Sequence, residues 1–271
     1  MTADRQRRAL AALDGLSVGD ALGERFFGPR ARERVARREP PPGPWRWTDD
    51  TAMACALVEV LVRFGEVRQD ELARAFGAAY EREPGRGYGP GMHRLLPHLG
   101  RGVDWRAAAR ALYRGQGSLG NGAAMRVAPL GAWFADDLER AVVEAARSAE
   151  LTHAHPEGIA GAVAVAAAAA LAATTARRGP DLIEGVVGLV PEGAVREGLL
   201  RARDLGSASP EEAARLLGSG ALASAPDTVP FALWCASRSP DDYEAALWLT
   251  LRGLGDRDTT GAIVGGIVAA R

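Results

Sequence analysis

The chain has 271 residues and a formal net charge of −1, so it lacks the basic excess that is typical of proteins bound to nucleic acids or membrane surfaces. Its two cysteines, Cys55 and Cys235, lie far apart in apolar helical patterns, which excludes a disulfide framework and leads us to expect a cytoplasmic protein. Arginine supplies all 33 basic residues, and Asn121 is the only asparagine in the chain.

The first informative segment is residues 15–24, where glycines indicate the end of a helix. Asp20 and Glu24 stand beside these glycines, and either acid could face a cleft or water. Residues 33–44 are rich in arginine and proline, so we predict a loop there, leading into the acidic segment Thr48–Thr51.

Helical periodicity continues from there to the end of the chain, and no alternating strand pattern interrupts it. We predict an all-α fold, a compact single domain over residues 1–271 with about a dozen helices, and expect a monomer. The alanine-rich segment 159–176 is nearly long enough to span a membrane, but alanine is only weakly apolar and a buried helix is the better interpretation.

The last helix reaches Arg271 without a cap, which leaves open a further C-terminal segment. The predicted helical segments are 52–64, 72–79, 95–99, 123–133, 138–149, 159–176, 182–189, 194–205, 211–217, 229–236, 243–251 and 261–270.

Two acidic segments stand at opposite ends of the chain, Thr48–Thr51 and Asp256–Thr259. Each places two carboxylates and a threonine hydroxyl at a predicted helix start, and helix capping alone would explain one such segment. Adjacent carboxylates repel each other unless a cation neutralises them. If the fold joins the two segments, their hard oxygen donors suit Mg²⁺ or Mn²⁺, and two ions rather than one.

Between these segments, residues 117–122 contain three glycines around Ser118 and Asn121. Glycines leave backbone N–H groups accessible, and the helix expected to follow would favour an anion. The segment is therefore a candidate phosphate-binding loop, although it lacks the Gly-Lys-Ser/Thr sequence of a Walker A loop. The alternative is a tight interhelical loop in which Asn121 caps the next helix.

Thr152 and His153 precede the alanine-rich helix. No second pair of histidines or cysteines stands at ligand spacing, so we expect no zinc site here. His153 would contact a phosphate or a base, or it would form a helix cap with Thr152.

Taken in chain order, these segments resemble the ADP-ribosylglycohydrolase family. No single segment is specific, but the ordered set is, and it spans residues 15–266. The matching segments are Gly19–Gly23, Thr48–Thr51, Gly120–Gly122 with Met125 and Arg126, Thr152–Pro156, and Gly255–Thr259.

The resemblance implies an all-α, metal-dependent hydrolase that releases ADP-ribose from an ADP-ribosylated protein or another acceptor by cleaving a glycosidic bond. It implies two Mg²⁺ or Mn²⁺ ions held by Thr48, Asp49, Asp50, Asp256, Asp258 and Thr259. It also implies an ADP-ribose site that contains Gly117, Ser118, Gly120, Asn121 and His153.

One departure from the family concerns the transfer of a proton. Several members carry a glutamate where this chain has Phe27, and that glutamate handles the proton or positions water. The nearest acid here is Glu24, so the proton would pass to Asp49, Asp50 or Glu24. Two alternatives stay open: an ADP-ribose-binding protein that has lost catalysis, and a dinuclear phosphohydrolase that acts on nucleotides.

Overall fold

The computed structural model describes residues 2–271, and that range contains fifteen α-helices, one short 3₁₀ turn and no β-strand. The all-α, single-domain fold predicted from the sequence is confirmed. The first seven helices are α1 Thr2–Glu24, α2 Ala31–Arg37, α3 Asp49–Phe64, α4 Gln69–Arg82, α5 Pro90–Gly100, α6 Trp105–Gly115 and α7 Ala128–Trp133. The other eight are α8 Leu138–Glu150, α9 Pro156–Thr174, α10 Gly179–Val187, α11 Ala194–Asp204, α12 Pro210–Leu217, α13 Ala225–Arg238, α14 Tyr243–Leu251 and α15 Arg257–Ala269.

Three segments differ from the sequence prediction. The predicted loop at 33–44 begins as α2, because Ala31 and Val35 lie one turn apart and pack into a small apolar cluster with Trp248 of α14. The predicted helix at 123–133 is divided into the 3₁₀ turn Asn121–Ala123 and α7. Helix α6 was not predicted, and the backbone leaves helical geometry within it, at residues 112–114.

Helix α1 ends at Glu24, within the segment where the sequence predicts a helix end, but its glycines lie inside the helix and form its contact with α15. Gly15, Gly19 and Gly23 stand one turn apart on α1, and a Cβ at any of them would overlap a carbonyl oxygen of α15. The carbonyls belong, in that order, to Gly265, Gly261 and Arg257. The two helices are therefore antiparallel and in close backbone contact, which places the start of α15 beside the end of α1.

Helix α9 is the central helix of the apolar core. It is the one helix within residues 2–271 that is long and apolar enough to cross a membrane, yet 78% of that apolar stretch is buried inside the protein. Its alanines pack against α7, α8 and α13, where small side chains permit close contact. The predicted buried helix is confirmed.

Candidate metal centre and ligand cavity

Helix α3 begins with the first acidic segment. Thr48 is the N-cap residue, and its Oγ1 accepts a hydrogen bond from the backbone N–H of Asp50 at 3.3 Å. Asp49 and Asp50 fill the first turn, where the helix dipole favours negative charge. Capping thus accounts for Thr48, but it leaves Asp50 Oδ2 buried without a hydrogen-bond partner.

Asp20 reaches this helix start from α1. It is fully buried, and its carboxylate accepts hydrogen bonds from the backbone N–H groups of Thr48 at 2.9 Å and Thr51 at 3.1 Å, and from the Thr51 hydroxyl at 2.5 Å. Burial raises the pKa of Asp20, whereas these hydrogen bonds favour its ionised form. The sequence left open whether Asp20 faces a cleft or water. It faces neither, and its buried carboxylate instead fixes the start of α3.

The second acidic segment begins α15. The backbone N–H of Asp256 donates to the Ser219 carbonyl at 2.9 Å, and its carboxylate accepts from Asn121 Nδ2 at 2.7 Å. Asn121 Nδ2 also donates to Thr228 Oγ1 at 3.0 Å. The single asparagine of the chain therefore ties the glycine loop to the acidic segment, and it is not the helix cap of the alternative interpretation.

The two acidic segments meet at one cavity of about 240 Å³. One wall is acidic and consists of Asp49, Asp50, Asp256, Asp258 and Thr259. The glycine-loop side carries Ser118, Gly120, Asn121, Gly122 and His153. Of the other predicted residues, Thr48 and Glu24 line a neighbouring cleft, and Gly117 lines neither.

Burial and mutual repulsion raise the pKa values of the carboxylates in the acidic wall. Burial raises the pKa of Asp49 to about 7, with Asp20 and Asp256 adding to the shift. Burial likewise raises the pKa of Asp258 to about 9, again with Asp256 contributing. Burial raises the pKa of Asp50 as well, and the neighbouring carboxylates, Asp20 first, add to that rise. Asp258 Oδ1, like Asp50 Oδ2, is buried, and no hydrogen-bond donor in the described part of the chain satisfies either oxygen.

The donor set fits a hard divalent cation. In the described range no three His, Cys, Asp or Glu side chains form a metal-binding group by themselves, so hydroxyl oxygens and water would complete the coordination. Mg²⁺ is bound in this manner, through one or two carboxylates and several retained waters. The cavity residues that would hold the ions are Asp49, Asp50, Asp256, Asp258 and Thr259, and the predicted ligand Thr48 would have to reach them from the neighbouring cleft.

The glycine loop packs against the imidazole of His153. A Cβ at Gly120 or Gly122 would stand 3.2 or 3.0 Å from His153 Nε2, so a side chain at either position would crowd the ring. Gly117 has a φ of 74° and packs on the backbone of residues 154–155, away from the cavity. The loop ends in the 3₁₀ turn Asn121–Ala123 and not in an α-helix, so the α-helix N-terminus expected to favour an anion is not at this position.

Glu24 lies at the second cleft, which has a volume of about 770 Å³ and shares Asp258 with the cavity. Burial raises the pKa of Glu24, and Asp20 adds to the shift. Phe27 is half exposed, and the Arg257 guanidinium lies 4.9 Å from the centre of its ring. An aromatic ring beside an arginine thus stands where several members of the resembling family carry a glutamate, and Glu24 lines the cleft together with Glu83 and Asp258.

The segment between α4 and α5 also borders the site, although the sequence did not predict it. The carbonyl of Arg86 accepts a hydrogen bond from the backbone N–H of Asp49 at 2.9 Å, and Gly87 lines both the cavity and the cleft. The Arg86 guanidinium stacks 3.9 Å from the ring of Trp47. Glycines at alternate positions from 85 to 91 were the available signal, because they leave backbone exposed next to a ligand.

The chain is similar along its whole length to one family of proteins. The family model for ADP-ribosylglycohydrolase matches residues 1–271. ADP-ribosylhydrolase ARH3 of Bos taurus is 33% identical over 258 residues, covering 83% of this chain and 70% of the bovine protein. ADP-ribosylarginine hydrolase Tri1 of Pseudomonas putida (strain GB-1) is 28% identical over 276 residues, covering 97% of this chain and 70% of the bacterial protein.

A solved structure described as an ADP-ribosylglycohydrolase-related protein complex has the same fold. It matches with a TM-score of 0.71 and 29% sequence identity, over 99% of this chain and 88% of the other. The resemblance found in the ordered sequence segments is confirmed. The chain belongs to the ADP-ribosylglycohydrolase family.

Proposed function

We propose that this protein is a metal-dependent hydrolase that cleaves the glycosidic bond between ADP-ribose and a modified acceptor, a protein side chain or another target. The observation that carries the proposal is the convergence of four aspartates on one wall of a cavity that the glycine loop also lines. The names of the relatives, ADP-ribosylhydrolase and ADP-ribosylarginine hydrolase, agree with it.

The ADP-ribosyl group is proposed to lie in the cavity, with its scissile end at the acidic wall. The glycine loop supplies donors for the diphosphate and ribose. Ser118 Oγ accepts a hydrogen bond from the Gly120 N–H at 3.2 Å, which leaves the serine proton available to a ligand oxygen. His153 adds a ring nitrogen on the same wall.

The acidic wall is proposed to hold two Mg²⁺ or Mn²⁺ ions. When bound, such ions supply Lewis acidity, which lowers the pKa of water and neutralises the carboxylates. Asp49 and Asp50 would orient the attacking water by accepting its hydrogen bonds, and one of them or Glu24 would take its proton. General-base assistance of this kind contributes about 10²–10⁴-fold to the rate. The raised pKa of Glu24 brings it closer to the range of an effective base.

The proposal is tested by an activity panel on metal-depleted protein. ADP-ribosyl-arginine, ADP-ribosyl-serine peptides and ADP-ribosylated DNA are incubated with and without Mg²⁺ or Mn²⁺, and free ADP-ribose is measured by chromatography. We expect release only when metal is present. Asp258→Asn should lower the rate by about 100-fold or more, since it removes a proposed ligand and its charge. The exposed Asp14→Asn on α1 is the control, and a wild-type rate in Asp258→Asn would contradict the proposal.

Phe27 favours one alternative, a protein that binds ADP-ribose without hydrolysing it. Calorimetry would then give affinity for ADP-ribose while no product forms on any substrate in Mn²⁺. Release of inorganic phosphate in place of free ADP-ribose would instead support the dinuclear phosphohydrolase.

We also propose that the protein works as a cytoplasmic monomer. Both cysteines are free, and the Cys235 thiol is fully buried, which suits a reducing compartment. Light scattering is expected to give the mass of one chain, 28.5 kDa. A larger mass would contradict the monomer, and recovery of the expressed protein in a membrane or secreted fraction would contradict the location.

A further inference from the structure

Arg126 is a fully buried arginine beneath the glycine loop, without a carboxylate partner in the part of the chain that the structure describes. Its guanidinium stands 4.4 Å from the ring centre of Phe76. One terminal nitrogen donates to the Gly122 carbonyl at 3.1 Å, and the other donates to the Ser148 carbonyl at 3.0 Å and to Thr152 Oγ1 at 2.9 Å. Burial lowers its pKa only to about 9, so it stays charged at neutral pH.

The Thr152 hydroxyl lies between Arg126 and His153. Its oxygen accepts from Arg126 and stands 2.8 Å from His153 Nδ1. Arginine has donors only, so the threonine oxygen is the acceptor in the first contact. The single hydroxyl proton is then free to be donated to Nδ1, which accepts it with a lone pair. A neutral imidazole that accepts at Nδ1 carries its own proton on Nε2.

Two further observations indicate that this Nε2–H group is available to a ligand in the cavity. Burial and the Arg126 cation lower the pKa of His153 to about 3, so the ring is neutral at physiological pH. Nε2 lies against Gly120 and Gly122 on the cavity wall, and no acceptor within residues 2–271 forms a hydrogen bond with it. The Nε2–H group of His153 therefore faces the cavity without a hydrogen-bond acceptor from the described part of the protein.

We propose that Arg126 and Thr152 are positioning residues that hold His153 in its Nε2–H tautomer, so that the cavity presents a neutral hydrogen-bond donor to an anionic oxygen such as that of a diphosphate. The identity of the ligand rests on the proposed function, whereas the tautomer does not. Because the imidazole is neutral, it can bind the anion without adding a positive charge beside the metal-binding wall. Such a charge would repel the metal cations.

The tautomer is read from the ¹⁵N resonances of His153 in histidine-labelled protein. Wild type should give an unprotonated, hydrogen-bonded Nδ1 and a protonated Nε2. Thr152→Val has nearly the same shape but no hydroxyl, so the hydrogen-bonded Nδ1 signal should be lost and ADP-ribose affinity should fall by about threefold to tenfold. Thr152→Ser restores the hydroxyl and should restore both. Thr250→Val, at another fully buried threonine whose hydroxyl bonds to its own helix, is the matched control.

A protonated Nδ1 in the wild type would overturn the proposal, and so would a Thr152→Val protein with unchanged Nδ1 resonance and affinity. Arg126→Gln removes the guanidinium that donates to the Thr152 oxygen and should weaken the hydrogen-bonded Nδ1 signal, so an unchanged Nδ1 resonance would overturn the part assigned to Arg126. If wild type has the Nε2–H tautomer but fails to bind ADP-ribose, the proposed function fails while the positioning of His153 stands.

Discussion

Asp20 and Asn121 each hold one acidic segment in place, and neither role follows from local sequence. Asp20 binds the backbone at Thr48, 28 residues away, and Asn121 binds Asp256, 135 residues away. The acidic segments themselves could be predicted, because each is a local pattern at a helix start. The partners that orient them could not, because their hydrogen bonds depend on how distant helices pack.

Asp20→Ala should destabilise the protein more than an ordinary surface substitution. It leaves two backbone N–H groups and the Thr51 hydroxyl without their acceptor in a buried place, a loss of about 2–4 kcal/mol in the free energy of unfolding. Urea denaturation measures the loss. Asp20→Asn keeps one acceptor oxygen and should lie between Ala and wild type. The exposed Asp14→Ala on the same helix should change stability by less than about 0.5 kcal/mol, and an equal effect of Asp14→Ala would contradict this role.

Asn121→Ala should weaken metal binding more than it weakens the fold. Its amide orients the Asp256 carboxylate, and loss of such an outer partner typically lowers metal affinity by about 10–100-fold. Calorimetric titration with Mn²⁺ measures the change. Thr228→Val removes the other partner of Asn121 and leaves the contact with Asp256, so it should have a smaller effect. Equal Mn²⁺ affinity in Asn121→Ala and wild type would show that Asp256 needs no such support.

At the scale of helices, the glycines of α1 and α15 determine whether the two acidic segments meet. The spacing of Gly261, Gly265 and Ala269, one helical turn apart, is typical of a close helix contact, whereas the glycines of α1 were interpreted as a helix end. Glycine is a frequent helix terminator, and only the facing helix shows that these three are contact residues. Helix α6 was missed for another reason: its buried residues are only Trp105, Ala109 and Leu112, and its backbone leaves helical geometry from residue 112, so its apolar pattern is short.

Gly19→Ala should destabilise the protein although alanine is the better helix former. The new methyl group would overlap the Gly261 carbonyl oxygen, a backbone atom that cannot turn aside. Overpacking costs about 1–3 kcal/mol or more, which exceeds the gain of about 1 kcal/mol in helix propensity. Thermal denaturation tests the sign, and Mn²⁺ affinity should fall because the start of α15 shifts. Gly28→Ala has open space around it and should be nearly neutral; a neutral Gly19→Ala would contradict this contact.

At the scale of the whole molecule, folding gathers carboxylates from the two ends of the chain into a buried wall. Asp49 and Asp258 have pKa values raised to about 7 and about 9, so the folded state without metal binds more protons than the unfolded state does. Stability then falls as pH rises. The contribution is complete below the ordinary value of 3.8 and is lost as pH passes the raised values.

Urea unfolding of EDTA-treated protein should therefore show a declining free energy of unfolding from about pH 5.5 to about pH 8.5. Mn²⁺ competes with protons for the same oxygens, so its stabilising effect should increase over that range. A metal-free protein whose stability is flat or rises across this range would contradict the repulsion inferred for the acidic wall.

The same repulsion predicts a conflict between stability and activity at Asp258. Asp258→Asn removes a buried charge whose Oδ1 has no protein partner, so metal-free protein at pH 8 should gain about 1–2 kcal/mol and its pH slope should flatten. The variant should also lose the Mn²⁺-dependent gain and the hydrolase activity, because the carboxylate that destabilises the empty fold is the one proposed to bind the ion. Asp181→Asn, an exposed aspartate in the first turn of α10, is the control and should change neither the slope nor the metal response. If Asp258→Asn lowers metal-free stability instead, Asp258 is held by the protein itself, and the acidic wall does not depend on a cation for its charge balance.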